Sequence, residues 1–133
     1  MANITREIEV GTAPEAVWQR VRAVGEAHLL FAGVLTACEL QGGERTVTFA
    51  NGMVLKELIV DVDDARRRVA YAATGGRTTH HNASLQVFAR GDGGSRIVWT
   101  TDFLPDAVAP AIGALVDAGC AAMQRTLEGA ANG

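Results

Sequence analysis

The chain has 133 residues, a length that suits one domain (residues 1–133) with a hydrophobic core. Its 48% hydrophobic and 20% charged residues are typical of a soluble globular protein, and a net charge of −3 gives no reason to expect nucleic acid as a partner. We also expect no membrane insertion and a cytoplasmic location. No apolar run approaches the roughly 20 residues of a membrane span, and the N-terminus lacks the apolar stretch of a signal peptide. Because the cytoplasm is reducing, Cys38 and Cys120 should stay reduced there.

Alternation of apolar and polar residues predicts seven β-strands. We place them at residues 4–10, 34–40, 45–50, 53–62, 69–74, 79–89 and 97–104. Short turns separate the last six strands, and Asn51-Gly52 is the strongest hairpin signal among them. Because strands joined by tight turns pair with their chain neighbours, we expect a largely antiparallel meander.

Apolar residues spaced by three or four positions predict a long helix over residues 105–128. They are Ala109, Ile112, Leu115, Val116, Cys120, Met123 and Leu127. Asp106 is its expected cap and Gly129 its expected end. Two short helices should follow the first strand, at residues 12–25 with Thr12 as N-cap and at residues 26–31. A helix about 30 Å long needs a broad surface to bury its apolar side, so we predict an α+β fold in which a curved sheet grips this helix.

The order of these elements, with several local phrases, resembles the polyketide cyclase/dehydrase group of the START-like SRPBCC superfamily. The phrases lie at residues 8–10 (Ile-Glu-Val), 13–18 (Ala-Pro-Glu-Ala-Val-Trp), 56–58 (Lys-Glu-Leu), 63–71 and 95–100. The resemblance implies a helix-grip fold, a seven-stranded curved antiparallel sheet wrapped around a long C-terminal helix, with two short helices after strand 1. It also implies an apolar cavity between the sheet and the helix. The group includes enzymes, carriers and receptors without a shared catalytic motif.

In similar proteins the Glu of the Lys-Glu-Leu phrase points inward, and a period of two then assigns the other inward residues. The expected inward set is Met53, Leu55, Glu57, Ile59 and Asp61, then Val69, Tyr71 and Ala73, then His81, Ala83, Leu85 and Val87, and finally Val98, Thr100 and Asp102. Ile97 and Trp99 would lie outside. There they would either form a homodimer patch or lie beneath the N-terminal strand.

The expected inward surface has apolar walls and few polar groups, which is the composition of a small-molecule pocket. Small residues, Ala73 and Ala83 on the strands and Gly113 and Gly119 on the helix, should leave room for a ligand. The predicted ligand-binding residues are Phe49, Leu55, Ile59, Ala73, Ala83, Leu85, Thr100, Ile112, Leu115, Val116, Gly119 and Met123.

Glu57, His81 and Tyr71 are the candidate catalytic residues. Glu57 and His81 would move a proton to or from a carbonyl compound, such as a polyketide, while Tyr71 donates a hydrogen bond to the developing enolate. Cyclisation, dehydration and isomerisation all need such chemistry. Alternatively, the same residues anchor a hydrophobic ligand in a non-catalytic carrier or sensor, or form a purely structural pair. A third hypothesis is a protein-interaction module with a filled core, so the sequence leaves open whether the protein is an enzyme.

Adjacent His80 and His81 invite a metal-site interpretation. Neighbouring strand residues point to opposite faces, so the two imidazoles cannot bind one ion from a regular strand. We therefore expect no metal, and the proposed chemistry calls for no cofactor.

In similar receptors the loops near residues 50–53 and 75–79 border the cavity mouth. Arg77 would there meet an acidic ligand or simply remain solvated.

Overall fold

The computed structural model describes the backbone of residues 2–132 and the side chains of residues 2–129. Its seven strands are β1 (Ala2–Val10), β2 (Leu35–Gln41), β3 (Glu44–Phe49), β4 (Val54–Asp63), β5 (Arg68–Thr74), β6 (His80–Ala89) and β7 (Ser95–Leu104). They form a single sheet in the order β1-β7-β6-β5-β4-β3-β2, and each strand is antiparallel to its neighbours. The predicted seven-stranded antiparallel sheet is confirmed.

Two short helices follow β1 and one long helix ends the described chain. They are α1 (Pro14–Arg22), α2 (Ala27–Leu30) and α3 (Ala109–Asn132), with a short 3₁₀ turn before α2 (Val24–Glu26) and another before α3 (Asp106–Val108). The expected end of the long helix at Gly129 is wrong, since α3 continues past it.

The predicted N-cap of α1 is also wrong. Pro14 disfavours helical backbone at the preceding residue, so Ala13 is extended and takes the cap position. Thr12 instead donates its hydroxyl to the carbonyl oxygen of Leu127 at 2.7 Å. This buried bond ties the start of α1 to the C-terminal half of α3.

The segment Asp106–Gly129, which includes most of α3, is long and apolar enough to cross a membrane by length and composition alone. Its mean hydropathy is 1.4, because alanine and glycine replace charged residues along much of its length. The expectation that no apolar stretch approaches that length is therefore wrong. In this fold the helix packs against β1, with Val116, Met123 and Leu127 buried. A core helix of a soluble protein meets the same criterion.

The face assigned to β7 is wrong. In the structure Ala83 lies opposite Thr101 and Leu85 lies opposite Trp99, and directly opposed residues share one face of a sheet. The inward residues of β7 are therefore Ile97, Trp99, Thr101 and Phe103.

Thr100 and Asp102 lie on the outer face with Val98. The Asn3 side chain on β1 donates to Thr100 Oγ1 at 3.1 Å and to Asp102 Oδ1 at 2.8 Å. The assignment failed because it left Trp99, a large apolar side chain, facing water. Since Ile97 and Trp99 face inward, both alternatives for an outward pair, a homodimer patch or burial beneath the N-terminal strand, are wrong for these two residues.

A bulge in β4 corrects a second face assignment. The register with β5 shifts between Ile59 and Asp61, so one residue of β4 has no partner on β5. Beyond the bulge, Val62 lies opposite inward Val69, and Asp61 is exposed rather than inward. An alternation counted without a bulge cannot detect this change of face.

Candidate functional site

A cavity of about 390 Å³ lies between the sheet and the N-terminal half of α3. Phe31 and Leu35 border it on one side, and Ile112, Leu115 and Val116 of α3 on another. Its polar border comes from strand residues Arg45, Glu57, Tyr71, His81 and Thr101 and from loop residues Asn51, Arg77 and Thr78. Residues 75–78 and Met53 also border it, consistent with the expectation that these loops surround the mouth. The predicted cavity is therefore present.

Half of the predicted ligand-binding residues border this cavity. They are Phe49, Leu55, Ile112, Leu115, Val116 and Gly119. Ile59, Ala73, Ala83, Leu85 and Met123 do not border it, and the last four are buried by packing. Thr100 lies on the opposite face of the sheet, so its predicted place at the ligand is wrong, and its neighbour Thr101 borders the cavity instead.

Glu57 is paired with Arg45, a residue that the sequence interpretation overlooked. Arg45 Nε donates to Glu57 Oε1 at 2.7 Å, and Arg45 Nη1 donates to the carbonyl oxygen of Val24 at 3.1 Å. The two side chains are only 7% and 11% exposed. Two signals in the sequence pointed to the pair. Arg45 shares the inward alternation of Val47 and Phe49, and a hairpin centred on Asn51 sets Arg45 opposite Glu57.

Tyr71 lies next to this pair. The Arg45 guanidinium carbon is 4.9 Å from the centre of the Tyr71 ring, within the range of a cation–π interaction. Trp99 Nε1 donates to the Tyr71 hydroxyl oxygen at 3.2 Å. Burial raises the pKa of Tyr71 far above its usual range, and the negative charge of Glu57 raises it further. The hydroxyl therefore stays protonated and able to donate.

His81 borders the same cavity without contacting Glu57. Its ring meets Phe103 edge-on, with centroids 6.2 Å apart, and it forms no hydrogen bond with any described residue. Burial lowers the pKa of His81, and nearby His80 lowers it further, so the imidazole is neutral at neutral pH. The proposed proton-transfer pair of Glu57 and His81 is therefore not joined by a hydrogen bond.

Gly119 accommodates an indole ring. A Cβ atom at this position would lie 2.7 Å from Trp99 Cζ3, and Phe31 packs on the same ring with centroids 5.2 Å apart. Gly113 faces Ile4 of β1 and does not border the cavity. The expectation of ligand space is therefore wrong for Gly113. Gly119 does border the cavity, but the atoms nearest to an added Cβ there belong to Trp99. Gly119 makes room for Trp99, and Gly113 packs on the sheet.

The two adjacent histidines lie on opposite faces, as predicted. His80 is exposed and its Nε2 is 2.7 Å from Asn82 Oδ1, whereas His81 borders the cavity. Among residues 2–129, no three histidine, cysteine or acidic side chains are grouped as a metal site would need. Both cysteines are free.

A curved antiparallel sheet that encloses a cavity against one long C-terminal helix defines the helix-grip class. Residues 1–132 match the family model described as polyketide cyclase/dehydrase and lipid transport. The chain belongs to this family, and the resemblance seen in the sequence is confirmed.

Several solved structures share the fold. The protein XoxI from Bacillus cereus is 20% identical, with a TM-score of 0.86 over 96% of each chain. A protein from Thermobifida fusca is 27% identical, with a TM-score of 0.78 over 96% of this chain and 91% of that one. Norcoclaurine synthase from Thalictrum flavum, in complex with dopamine and hydroxybenzaldehyde, is 23% identical. Its TM-score is 0.67 over 90% of this chain and 84% of the other. No curated protein matches the sequence.

Proposed function

We propose that this protein binds a small hydrophobic molecule in the cavity between its sheet and α3. The observation that carries the proposal is the cavity volume of about 390 Å³, which lies within the range of small-molecule pockets. Its wall is largely apolar, and a few polar groups converge at Arg45, Glu57 and Tyr71. The complex of norcoclaurine synthase with dopamine and hydroxybenzaldehyde gives an example of small-molecule binding on this fold.

Binding without chemical change is the function that the contacts favour. Glu57 is held by Arg45 at 2.7 Å, which suits an anchoring or structural role better than repeated proton transfer. The role is that of a carrier or sensor of a carbonyl-containing hydrophobic compound, with a cytoplasmic location and no cofactor.

Native mass spectrometry of freshly purified protein tests this carrier or sensor role. A bound small molecule that denaturation releases unchanged is expected. An unliganded protein that no hydrophobic carbonyl compound stabilises against heat would contradict it.

A catalytic role is the second candidate, and the neutral imidazole of His81 favours it. A neutral imidazole with no hydrogen-bond partner among the described residues has a free nitrogen to take a proton from the carbon beside a carbonyl. The Tyr71 hydroxyl would then donate to the enolate oxygen. Turnover of the co-purified compound in the wild type and in His81→Ala, Tyr71→Phe and Glu57→Gln distinguishes the two functions. Conversion that His81→Ala abolishes would establish the enzyme, and no conversion by the wild type would establish the carrier.

A further inference from the structure

Glu57 and Arg45 keep hydrogen-bonding capacity that the protein does not use. Glu57 Oε1 accepts from Arg45, whereas Oε2 accepts from none of the described residues. Arg45 uses Nε and Nη1, and its Nη2 finds no acceptor among the described residues. Neither free atom is completely buried. Within residues 2–129, His28 Nδ1 is the completely buried side-chain nitrogen or oxygen that has no hydrogen-bond partner, so Glu57 Oε2 and Arg45 Nη2 must retain some accessible surface. Since both residues border the cavity, a ligand can reach these atoms.

Tyr71 adds one donor to this set. Its oxygen accepts from Trp99 Nε1 at 3.2 Å, and no described residue accepts its own hydroxyl hydrogen. Around the Arg45–Glu57 pair, the cavity therefore presents donors at Tyr71 and Arg45 and an acceptor at Glu57 Oε2. A ligand group that satisfies them must both donate and accept.

The charges of the pair select against an ionised ligand. The Arg45 and Glu57 charges are neutralised by each other at 2.7 Å. A carboxylate brought beside them would be repelled by Glu57, and an ammonium group would be repelled by Arg45. Beside the pair, each would also lose its water without gaining an unpaired counter-ion, which is strongly unfavourable in a largely buried site. The other cation that borders the cavity, Arg77, is an exposed residue of the 75–78 loop.

We propose that the cavity selects neutral ligands that carry a hydroxyl group, as a phenol or an enol. The hydroxyl donates to Glu57 Oε2 and accepts from Tyr71, while the apolar body lies against Phe49, Leu55 and Leu115. A ketone satisfies Tyr71 but leaves Glu57 Oε2 unpaired, so the enol or phenol form of a carbonyl compound binds better. This inference rests on the proposed function, because it specifies the ligand of the same cavity.

Three compounds with one ring system test the inference: naphthol, methylnaphthalene and naphthoate, each substituted at the same ring position. Calorimetric titration of the full chain at neutral pH measures each dissociation constant. The hydroxyl gains two hydrogen bonds with buried groups, so naphthol should bind about tenfold more tightly than methylnaphthalene. Naphthoate should bind more weakly than both. Tyr71→Phe, which removes only the hydroxyl, should reduce the preference for naphthol to about threefold.

The outcomes separate this inference from the proposed function. Equal affinities for the three compounds, or tightest binding of naphthoate, would overturn the hydroxyl selection while leaving small-molecule binding intact. A preference for naphthol that survives unchanged in Tyr71→Phe would also overturn it. Glu57→Gln provides a second test, because its amide retains the shape but offers a donor, and naphthol should lose affinity there. If none of the compounds binds and no molecule co-purifies, both proposals fail.

Discussion

The two ends of the space between the sheet and α3 are built from the same elements but differ in filling. At one end, the packed end, Trp18 is 1% exposed and Leu127 is fully buried, and Val10, Val17, Val69 and Val87 belong to the same buried core cluster. At the other, the open end, Arg45, Phe49, Leu55, Glu57, Tyr71 and His81 border the cavity. The C-terminal half of α3 is anchored by buried Met123 and Leu127, whereas Ile112 and Leu115 of the N-terminal half are only half-buried.

The two tryptophans show the same contrast. Trp18 donates its indole N–H to Asp64, in the turn between β4 and β5, at 2.9 Å, and Trp99 donates its own to Tyr71 beside the cavity. The packed end thus supplies the stability that allows the open end to remain unfilled. This division predicts where substitutions will change stability and where they will change binding.

Trp18→Ala should have the largest effect on stability. It removes a fully buried ring and its bond to Asp64, which should lower the free energy of unfolding by about 4 kcal/mol. Urea unfolding followed by circular dichroism measures the loss. Ligand affinity of the folded fraction should not change, because Trp18 does not border the cavity. A loss below about 1 kcal/mol would break the distinction between the two ends.

Breaking the Arg45–Glu57 pair should have the second largest effect on stability. Arg45→Met leaves Glu57 as an unpaired charge that is only 11% exposed and should cost about 3 kcal/mol. Glu57→Leu should cost a similar amount. The double variant should recover most of the stability, since no unpaired charge remains, and urea unfolding of the three proteins measures this. Additive losses in the double variant would contradict a coupled pair.

Gly119→Ala and Gly113→Ala form a matched pair on α3. The added methyl group at position 119 meets Trp99 at 2.7 Å and should destabilise the protein by about 1–2 kcal/mol. At position 113 the nearest atom is Ile4 Cδ1 at 3.5 Å, an ordinary contact, so the better helix propensity of alanine should stabilise the protein by up to about 1 kcal/mol. Thermal unfolding compares them. The same sign for both variants would refute the assigned contacts.

His81 should give stability a modest dependence on pH. Burial lowers its pKa in the folded protein below the usual value of 6.5, so the unfolded chain binds a proton first as the pH falls. Stability from this group is complete above pH 6.5 and declines between 6.5 and the lower folded pKa. Unfolding free energies of the wild type and His81→Asn across this window measure the difference. Parallel curves for the two proteins would show that His81 is not shielded from water.

Much of the fold could be predicted because its signals are local. Alternation located the seven strands, and Asn51-Gly52 located the β3–β4 hairpin. The face of β7 was predicted wrongly although alternation favours the correct one, because Ile97, Trp99 and Phe103 form a more apolar set than Val98, Thr100 and Asp102. The register that pairs Leu85 with Trp99 confirms the apolar set as inward.

The candidate site was only partly predictable. Glu57, Tyr71 and His81 followed from the inward face of their strands, but the partner of Glu57 lies on a different strand. The register of β3 with β4 identifies it as Arg45, and an isolated arginine in a strand is more often an exposed residue. The bulge after Ile59 depends on the pairing of β4 with β5, which no local pattern in the sequence indicates.

The most direct test of the cavity uses the two tryptophans as reporters of the two ends. Their indole N–H groups give separate signals in a proton–nitrogen NMR spectrum of the ¹⁵N-labelled protein, and Trp99→Phe assigns them. On titration with naphthol, the Trp99 signal should shift and saturate, because its N–H bonds Tyr71 beside the ligand. The Trp18 signal should remain in place. Equal shifts of both signals, or saturable binding that leaves the Trp99 signal unmoved, would contradict a ligand site at the open end.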